Sequence, residues 1–142
     1  MKKTRDAKES LFNKLLIQET LLAGLSIGLI VFVAFFIMIR VFNMEVSTAR
    51  GYIMALMVFM QNMHVLNCRS ETLSIFKNPI KNNVLIIFSI VGSILLQIIV
   101  MEVDVLSRFL QTTPIPVGHM IILFIVSMPI VFIMEMFKEI KR

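Results

Sequence analysis

The sequence lacks several features that would point to a soluble enzyme. It contains one cysteine and no tryptophan, and Cys68 has no second cysteine with which to form a disulfide inside the chain. A glycine-rich phosphate loop, a dinucleotide-binding fingerprint and a nucleophile–base triad are also missing. The stretches between its apolar segments are too short for a nucleotide-binding domain. These absences exclude catalysis by this chain acting alone, so no residue is assigned a catalytic role.

Charge is scarce as well, and apolar residues take its place. Of the 142 residues, 58% are hydrophobic and only 16% are charged, and the mean hydropathy is +0.89. Soluble domains have about 45–50% apolar and about 25% charged residues. A chain of this length cannot bury so much apolar surface in its own core. We therefore expect a lipid bilayer to cover part of it.

Four apolar segments are long enough to cross a bilayer, which takes about 20 helical residues. They predict an all-α membrane protein in which residues 1–142 form one module, a four-transmembrane-helix bundle. A cytosolic lead over 1–14 would precede the helices, predicted at about 15–40, 49–68, 82–102 and 117–137. The apolar segments inside these helices are 20–39, 51–68, 82–101 and 117–134. Pro129 interrupts the fourth segment and predicts a kink there.

The basic residues are distributed unevenly between the two sides of such a bundle. Eleven of the fourteen precede the first segment, lie between the second and third, or follow the fourth. Only Arg40, Arg50 and Arg108 fall on the other side. The positive-inside rule therefore predicts that both termini and the middle loop are cytosolic. This asymmetry accounts for the net charge of +5, so we expect no nucleic-acid partner.

The second segment carries an unusual number of polar residues. At 100° per residue, Gln61, His64 and Asn67 share a stripe about 120° wide, whereas Asn62 points nearly the opposite way. Amides are costly in hydrocarbon, so we expect the stripe to face other helices or a wet cavity. Two interpretations stay open: hydrogen bonds between helices, or oxygen ligands for a transported ion. A histidine such as His64, with no Asp or second His at ligand spacing, argues against a metal site.

Other residues predict helix packing and interfacial contacts. Gly24 and Gly28 form a GxxxG pattern, which lets another helix approach backbone to backbone. Glu19 lies within a turn of the predicted cytosolic interface, and we expect its carboxylate to reach water. Near the end of the fourth segment, Glu135 is expected to pair with Lys138 three residues on.

The sequence resembles the last four membrane segments of P-type cation-transporting ATPases of the calcium-pump group. The stretch TARGYIMALMVFMQNMHVLNCRSE is similar to the eighth segment, and MKKTRDAKESLFNKLLIQETLLAGLSIGL to the lead into the seventh. NNVLIIFSIVGSILLQIIVMEVDVL resembles the ninth segment, and SMPIVFIMEMFKEIKR the tenth with its basic tail. The resemblance covers essentially the whole chain and implies a C-terminal module made of segments seven to ten.

This resemblance implies roles for individual residues. Gln61 matches the position where reticulum-type calcium pumps carry a calcium-ligating glutamate and plasma-membrane-type pumps carry glutamine. Gln61 and its neighbour Asn62 are therefore expected on the cation pathway. Gly24 and Gly28 match a glycine pair that packs on the family's fifth segment. Because that segment lies outside this sequence, the glycine face should be left empty, and its partner would have to be another chain.

The resemblance also implies what this chain depends on. The family's phosphorylated aspartate, nucleotide-binding domain and central ion-binding carboxylates all lie outside it. We expect a membrane-anchoring scaffold with no cofactor of its own, because Mg-ATP and a cation, calcium first, would serve only the intact pump. Its partners would be the lipid bilayer and the remainder of the pump, in a multi-pass arrangement in the cell membrane.

Two other functions stay open at this point. One is a proton-coupled exporter of the small multidrug type, which also has four spans and an acidic residue in the first. Those chains usually contain tryptophan and have tighter loops, unlike this sequence. The other is a non-transporting assembly or regulatory subunit, which would purify with a larger pump and move no ion alone.

Overall fold

The computed structural model describes residues 14–68 and 84–141, and these form helices joined by short connections. The helices, six within the described ranges, are α1 (Lys14–Arg40), α2 (Val46–Asn67), α3 (Val84–Glu102), α4 (Asp104–Leu110), α5 (Val117–Ser127) and α6 (Pro129–Lys141). No strand occurs in those two ranges. The predicted all-α class is confirmed. The predicted lead over 1–14, apart from Lys14, and the middle loop around 69–83 lie outside the described residues.

Within the described residues, three stretches are long and apolar enough to cross a membrane: Ile17–Arg40, Val84–Glu102 and Val117–Ile140. The remaining long helix, α2, has 22 residues and would extend about 33 Å, close to the roughly 30 Å of a bilayer core. It is less apolar than the other three stretches. The count of four crossings and the cytosolic position of both termini therefore stay predictions.

Helix α2 is the centre of the bundle. It packs against α1, α3, α5 and α6, whereas α3 contacts only α2 and α4 among the described helices. Leu56 and Met60 on α2 are fully buried, and the Phe59 ring meets Phe124 of α5 edge to face, with the ring centres 6.0 Å apart. The most polar long helix is thus the one that the others enclose, which reduces the number of its side chains that lipid would have to surround.

The outer surfaces of α1, α3 and α5 are strongly apolar. Large side chains such as Leu25, Phe32, Leu85 and Ile121 are more than half exposed. Water-soluble proteins rarely expose continuous apolar surface on this scale. Such apolar outer surfaces are typical of helices that contact the hydrocarbon of a membrane.

Proline divides the predicted fourth helix into two. Helix α5 ends at Ser127 and α6 begins at Pro129, with Met128 between them. Pro129 has no backbone N–H to continue the helical hydrogen bonds. The Ser127 hydroxyl donates to the carbonyl oxygen of Phe124 at 2.6 Å, and the Met128 N–H donates to that of Ile125 at 3.1 Å. The interruption predicted at Pro129 is therefore present as a break between helices.

The bundle has two distinct ends. At one end α1 begins and α2 and α6 finish, and we call this the terminal end. At the opposite end, α2 and α5 begin. At the opposite end, Gly51 of α2 lies directly under the connection from α4 to α5. A Cβ atom added to Gly51 would come within 2.5 Å of the Thr113 carbonyl oxygen and 3.4 Å of the Met101 methyl carbon. Only a residue without a side chain permits this approach.

We predict that Gly51→Ala lowers the free energy of unfolding by about 1–3 kcal/mol, because the added methyl must displace backbone rather than a flexible side chain. The matched control is Gly92→Ala on α3, where an added Cβ meets nothing within 4 Å. That change should be neutral or stabilising by up to about 1 kcal/mol, since alanine favours helix. Thermal unfolding of the full chain in detergent, followed by circular dichroism, measures both. Equal effects would contradict the close approach at Gly51.

Candidate functional site on helix α2

Gln61 lies in the middle of the side of α2 that no described helix covers. Met57 and Val65, one turn before and after it, are exposed, and so is Cys68. We call Met57, Gln61 and Val65 the open face of α2. Sequence periodicity predicts that Gln61, His64 and Asn67 together face other helices or a wet cavity. Within the described chain no helix covers Gln61, since spacing along a helix does not determine which sides the neighbouring helices occupy.

Asn62 lies on the opposite side of α2 and is 8% exposed. Ser93 of α3 donates its hydroxyl to Asn62 Oδ1 at 2.9 Å, and the same hydroxyl lies 2.9 Å from the carbonyl oxygen of Ile90. One turn further along α3, Gln97 is also buried. Asn62 thus makes a contact between two helices and is turned away from Gln61. The structure does not bring these two predicted pathway residues into one ligand set.

The two glycines predicted to pack are open in this chain. Gly24 and Gly28 are exposed on α1, and a Cβ atom added at either would meet nothing within 4 Å. Neither glycine therefore packs against another described helix. The surface around them is free to receive a helix from elsewhere, which is the arrangement expected if their partner belongs to another part of a pump. Their role in packing stays a proposal.

A buried group of polar side chains joins three helices at the terminal end. Lys138 of α6 is 4% exposed, and its Nζ donates to the Asn67 carbonyl oxygen at 2.6 Å and to Asn67 Oδ1. Glu19 of α1 is 2% exposed and interacts electrostatically with this ammonium group. We call Glu19, His64, Asn67, Cys68 and Lys138 the Lys138 cluster. The expectation that Glu19 reaches water is wrong, because α2 and α6 close over it.

Cys68 and His64 complete the cluster on α2. The Cys68 thiol lies 3.9 Å from Glu19 Oε1 and 3.3 Å from His64 Nε2, so it bridges α1 and its own helix. His64 is half-buried, and Asn67 is buried. Within the predicted polar stripe, Asn67 is thus buried, His64 is half-buried and Gln61 is exposed. Within the described residues, no three His, Cys, Asp or Glu side chains converge as a metal site would require.

Comparison with known proteins identifies the bundle. The model of the family described as "Cation transporting ATPase, C-terminus" matches residues 1–140. The chain belongs to this family. The Bacillus subtilis (strain 168) protein named "Calcium-transporting ATPase" is 31% identical to it over 117 residues, which are 82% of this chain and 13% of that protein.

"Calcium-transporting ATPase type 2C member 1" of Mus musculus and of Pongo abelii are each 26% identical over 143 residues, 99% of this chain. Each match covers 15% of the relative. The chain thus spans about one seventh of the length of these relatives. The resemblance to the C-terminal membrane domain of calcium-type P-type ATPases is confirmed, and the chain is a member of an integral membrane family.

The structure of this family member also reveals contacts that sequence reasoning missed. At the opposite end, the Tyr52 hydroxyl is hydrogen-bonded to His119 Nδ1, and Arg50 donates to Gln111 Oε1. These contacts tie the start of α2 to the chain around α5, and no local pattern indicates them. The burial of Lys138, in contrast, could have been predicted from the sequence. It follows the buried Val131 and Met134 at helical spacing, which places it on the stripe of α6 that packs inward.

We predict that Ser93→Ala lowers the free energy of unfolding by about 0.5–1.5 kcal/mol, because it leaves the buried Asn62 Oδ1 without its donor. Ser89→Ala is the matched control, since Ser89 is exposed and donates to the Leu85 carbonyl within its own helix. It should change stability by a few tenths of a kcal/mol at most. Unfolding of the full chain in detergent compares the two variants. If Ser89→Ala lowered the free energy of unfolding as much as Ser93→Ala, the hydrogen bond between α2 and α3 would add nothing to stability beyond that of an ordinary serine.

Proposed function

We propose that this chain is the membrane-anchoring and ion-pathway scaffold of an ATP-driven cation pump, and that the pump moves calcium. In this proposal the chain is not catalytic. Mg-ATP and the cation are handled by the intact pump, in the cell membrane, with both ends of the chain in the cytosol. The family match along residues 1–140 supports the pump, and the printed names of the relatives support calcium.

The observation that carries the proposal is the position of Gln61 on the open face of α2. An amide surrounded by Met57 and Val65 is costly to leave against hydrocarbon, so this face needs a protein partner or a water-lined path. The central helices of a pump would supply both. A neutral glutamine offers one oxygen ligand without charge, and the number of charged ligands sets the affinity for a divalent cation. We propose that Gln61 borders the pathway as a weak ligand.

The partner of this face would be the remainder of the pump. Gly24 and Gly28 leave a shallow surface on α1 where a second helix can come close. We propose that this surface and the open face of α2 dock together on the central helices. Asn62, on the opposite side of α2, would hold α2 against α3 through its hydrogen bond with Ser93. Gln61 would then stay directed toward the central helices.

The two rival functions find less support. An exporter of the small multidrug type would need its acidic residue open to protons and substrate, whereas Glu19 is buried beside Lys138. An assembly or regulatory subunit would also use the docking surface, but replacing its Gln61 would not change ion transport. The transport measured for a Gln61 variant therefore distinguishes such a subunit from the proposed scaffold of the ion pathway.

The docking surface is tested by replacing the corresponding C-terminal segment of the Bacillus subtilis relative with this chain and measuring ATP-driven calcium uptake into membrane vesicles. We predict that Gly24→Leu lowers uptake and pump assembly about tenfold, equivalent to ~1.4 kcal/mol, because leucine holds the helices apart. Leu25→Ala, at an exposed position next to it, should leave both nearly unchanged. Equal losses for the two variants would remove the packing role of the glycines.

The pathway role is tested in the same hybrid pump. We predict that Gln61→Leu lowers calcium uptake about tenfold without reducing the amount of assembled pump, because it removes an oxygen ligand and keeps the volume. Val65→Leu, one turn away on the same face, should retain uptake. Normal transport by the Gln61→Leu pump would leave this chain a scaffold without a part in the ion pathway.

A further inference from the structure

A hollow opens between α1, α2 and α5 at the opposite end of the bundle. Its volume is about 540 Å³, within the range of about 300–1,000 Å³ that is usual for small-molecule sites. Its walls include Ala34 and Met38 of α1, Leu56 of α2, and Leu123 and Val126 of α5. A space of this size, bordered by three helices, can admit a ligand with an apolar surface.

The hollow extends over the depth of one leaflet of a bilayer. A second hollow of about 360 Å³ shares Ala34 and Val126 with it and continues as far as Leu29. From Leu29 to Met38 the helical rise gives about 14 Å, close to half of the roughly 30 Å of a hydrocarbon core. Leu29 also lies near the middle of the apolar stretch Ile17–Arg40. We call the two hollows together the α1–α5 groove.

The groove has a polar pair at its outer end. Tyr52, near the start of α2, and His119, near the start of α5, line it there, and the Tyr52 hydroxyl is hydrogen-bonded to His119 Nδ1. The two ring centres are 5.7 Å apart. When the hydroxyl donates to Nδ1, the neutral imidazole carries its own proton on Nε2. Because the His119 side chain is exposed, this N–H is available to an oxygen atom outside the chain.

This arrangement fits a lipid better than a protein helix. A helix with its side chains is about 10–12 Å wide, so two turns of it occupy roughly 850 Å³, more than the 540 Å³ of the larger hollow. An acyl chain is one methylene wide and extends from the interface to the middle of the bilayer, as the groove does. Tyrosine and similar amphipathic rings lie at the depth of the lipid headgroups.

We propose that the α1–α5 groove binds one phospholipid from the leaflet at the opposite end of the bundle. One acyl chain lies between Ala34 and Val126, and an oxygen atom of the headgroup region accepts a hydrogen bond from His119 Nε2. This inference is independent of the proposed transport role, because it needs only a membrane around the bundle and is measured on the full chain by itself.

The chain carries its own reporter for this site. Tyr52 is its one tyrosine and it has no tryptophan, so its intrinsic fluorescence comes mainly from the lining of the groove. The test is a titration of the full chain in detergent with phosphatidylcholine whose acyl chains are brominated, because bromine quenches tyrosine at close range. We expect saturable quenching, and one phosphatidylcholine retained in native mass spectrometry. Quenching that rises with lipid without saturating would indicate general contact with lipid and overturn the proposal.

Two matched variants test the position of the acyl chain. Val126→Phe should raise the half-saturating lipid concentration about tenfold, because its ring takes up space that the acyl chain needs. Val91→Phe on α3 should leave it unchanged, since Val91 lines neither hollow and is 49% exposed, against 41% for Val126. Equal effects would overturn the proposal. If circular dichroism shows that Val126→Phe has lost helix, Ala34→Phe makes the same test from the facing wall.

The headgroup contact is tested with His119→Phe, which keeps a ring at the outer end but removes the N–H donor. It should weaken binding of the brominated phosphatidylcholine about fivefold, as expected for one lost hydrogen bond. Binding of bromohexadecane, which has no headgroup, should not change. An equal effect on the two probes, or no effect on either, would overturn the headgroup contact and with it the phospholipid.

The other possible occupant is a part of the pump itself. The hybrid pump with the Bacillus subtilis relative, purified with phosphatidylcholine, should retain the lipid in native mass spectrometry and should lose it in the Val126→Phe form. A hybrid that assembles and retains no lipid, although the full chain alone binds it, would show that another segment fills the groove and would overturn the proposal.

Discussion

The constraint on which this structure depends is that hydrocarbon offers no partner to a polar group. A buried amide or charge therefore lowers stability unless another part of the protein is its partner. In this chain α2 is the most polar of the long helices, and four other helices enclose it. Asn62 is matched by Ser93 on α3, and Asn67 by Lys138 on α6. The apolar residues of α1, α3 and α5 are then left to face outward, so the arrangement of helices around α2 follows from where its polar groups find partners.

The matching is incomplete in an informative way. The amide nitrogens of Asn62, Asn67 and Gln97 have no hydrogen-bond partner within the described part of the chain. Each unsatisfied buried donor costs about 1–3 kcal/mol. Bonding through one atom of the amide is enough to fix the position of the neighbouring helix. These unpaired amide nitrogens lie where α2 meets α3 and α6. The contacts between these helices are therefore weaker than hydrogen-bond networks in which every group has a partner.

Local signals in the sequence predicted the all-α class. Apolar segments of helical length indicated the long helices, and Pro129 marked the break between α5 and α6, because both effects act within a few residues of the chain, whereas the short helix α4 was not predicted. The directions of side chains were harder to predict. Periodicity grouped Gln61 with His64 and Asn67, but whether a stripe is covered depends on helices distant in sequence. Gly51 illustrates this most clearly, since its need for space arises from a carbonyl sixty-two residues later, at Thr113.

The polar residues of α2 therefore divide by whether this chain itself covers them. Asn62 and Asn67 hold the bundle together and are buried by it. Gln61 contributes nothing to that packing and is exposed between two apolar residues. An amide with no part in holding its own bundle lowers stability wherever lipid covers it. Its presence is understandable if another surface covers it, and the bare glycines on α1 offer such a surface a second place to dock. The hydrogen bond between Ser93 and Asn62 behind the open face, and the uncovered amide of Gln61 in front of it, are what the proposed docking on the remainder of a pump requires.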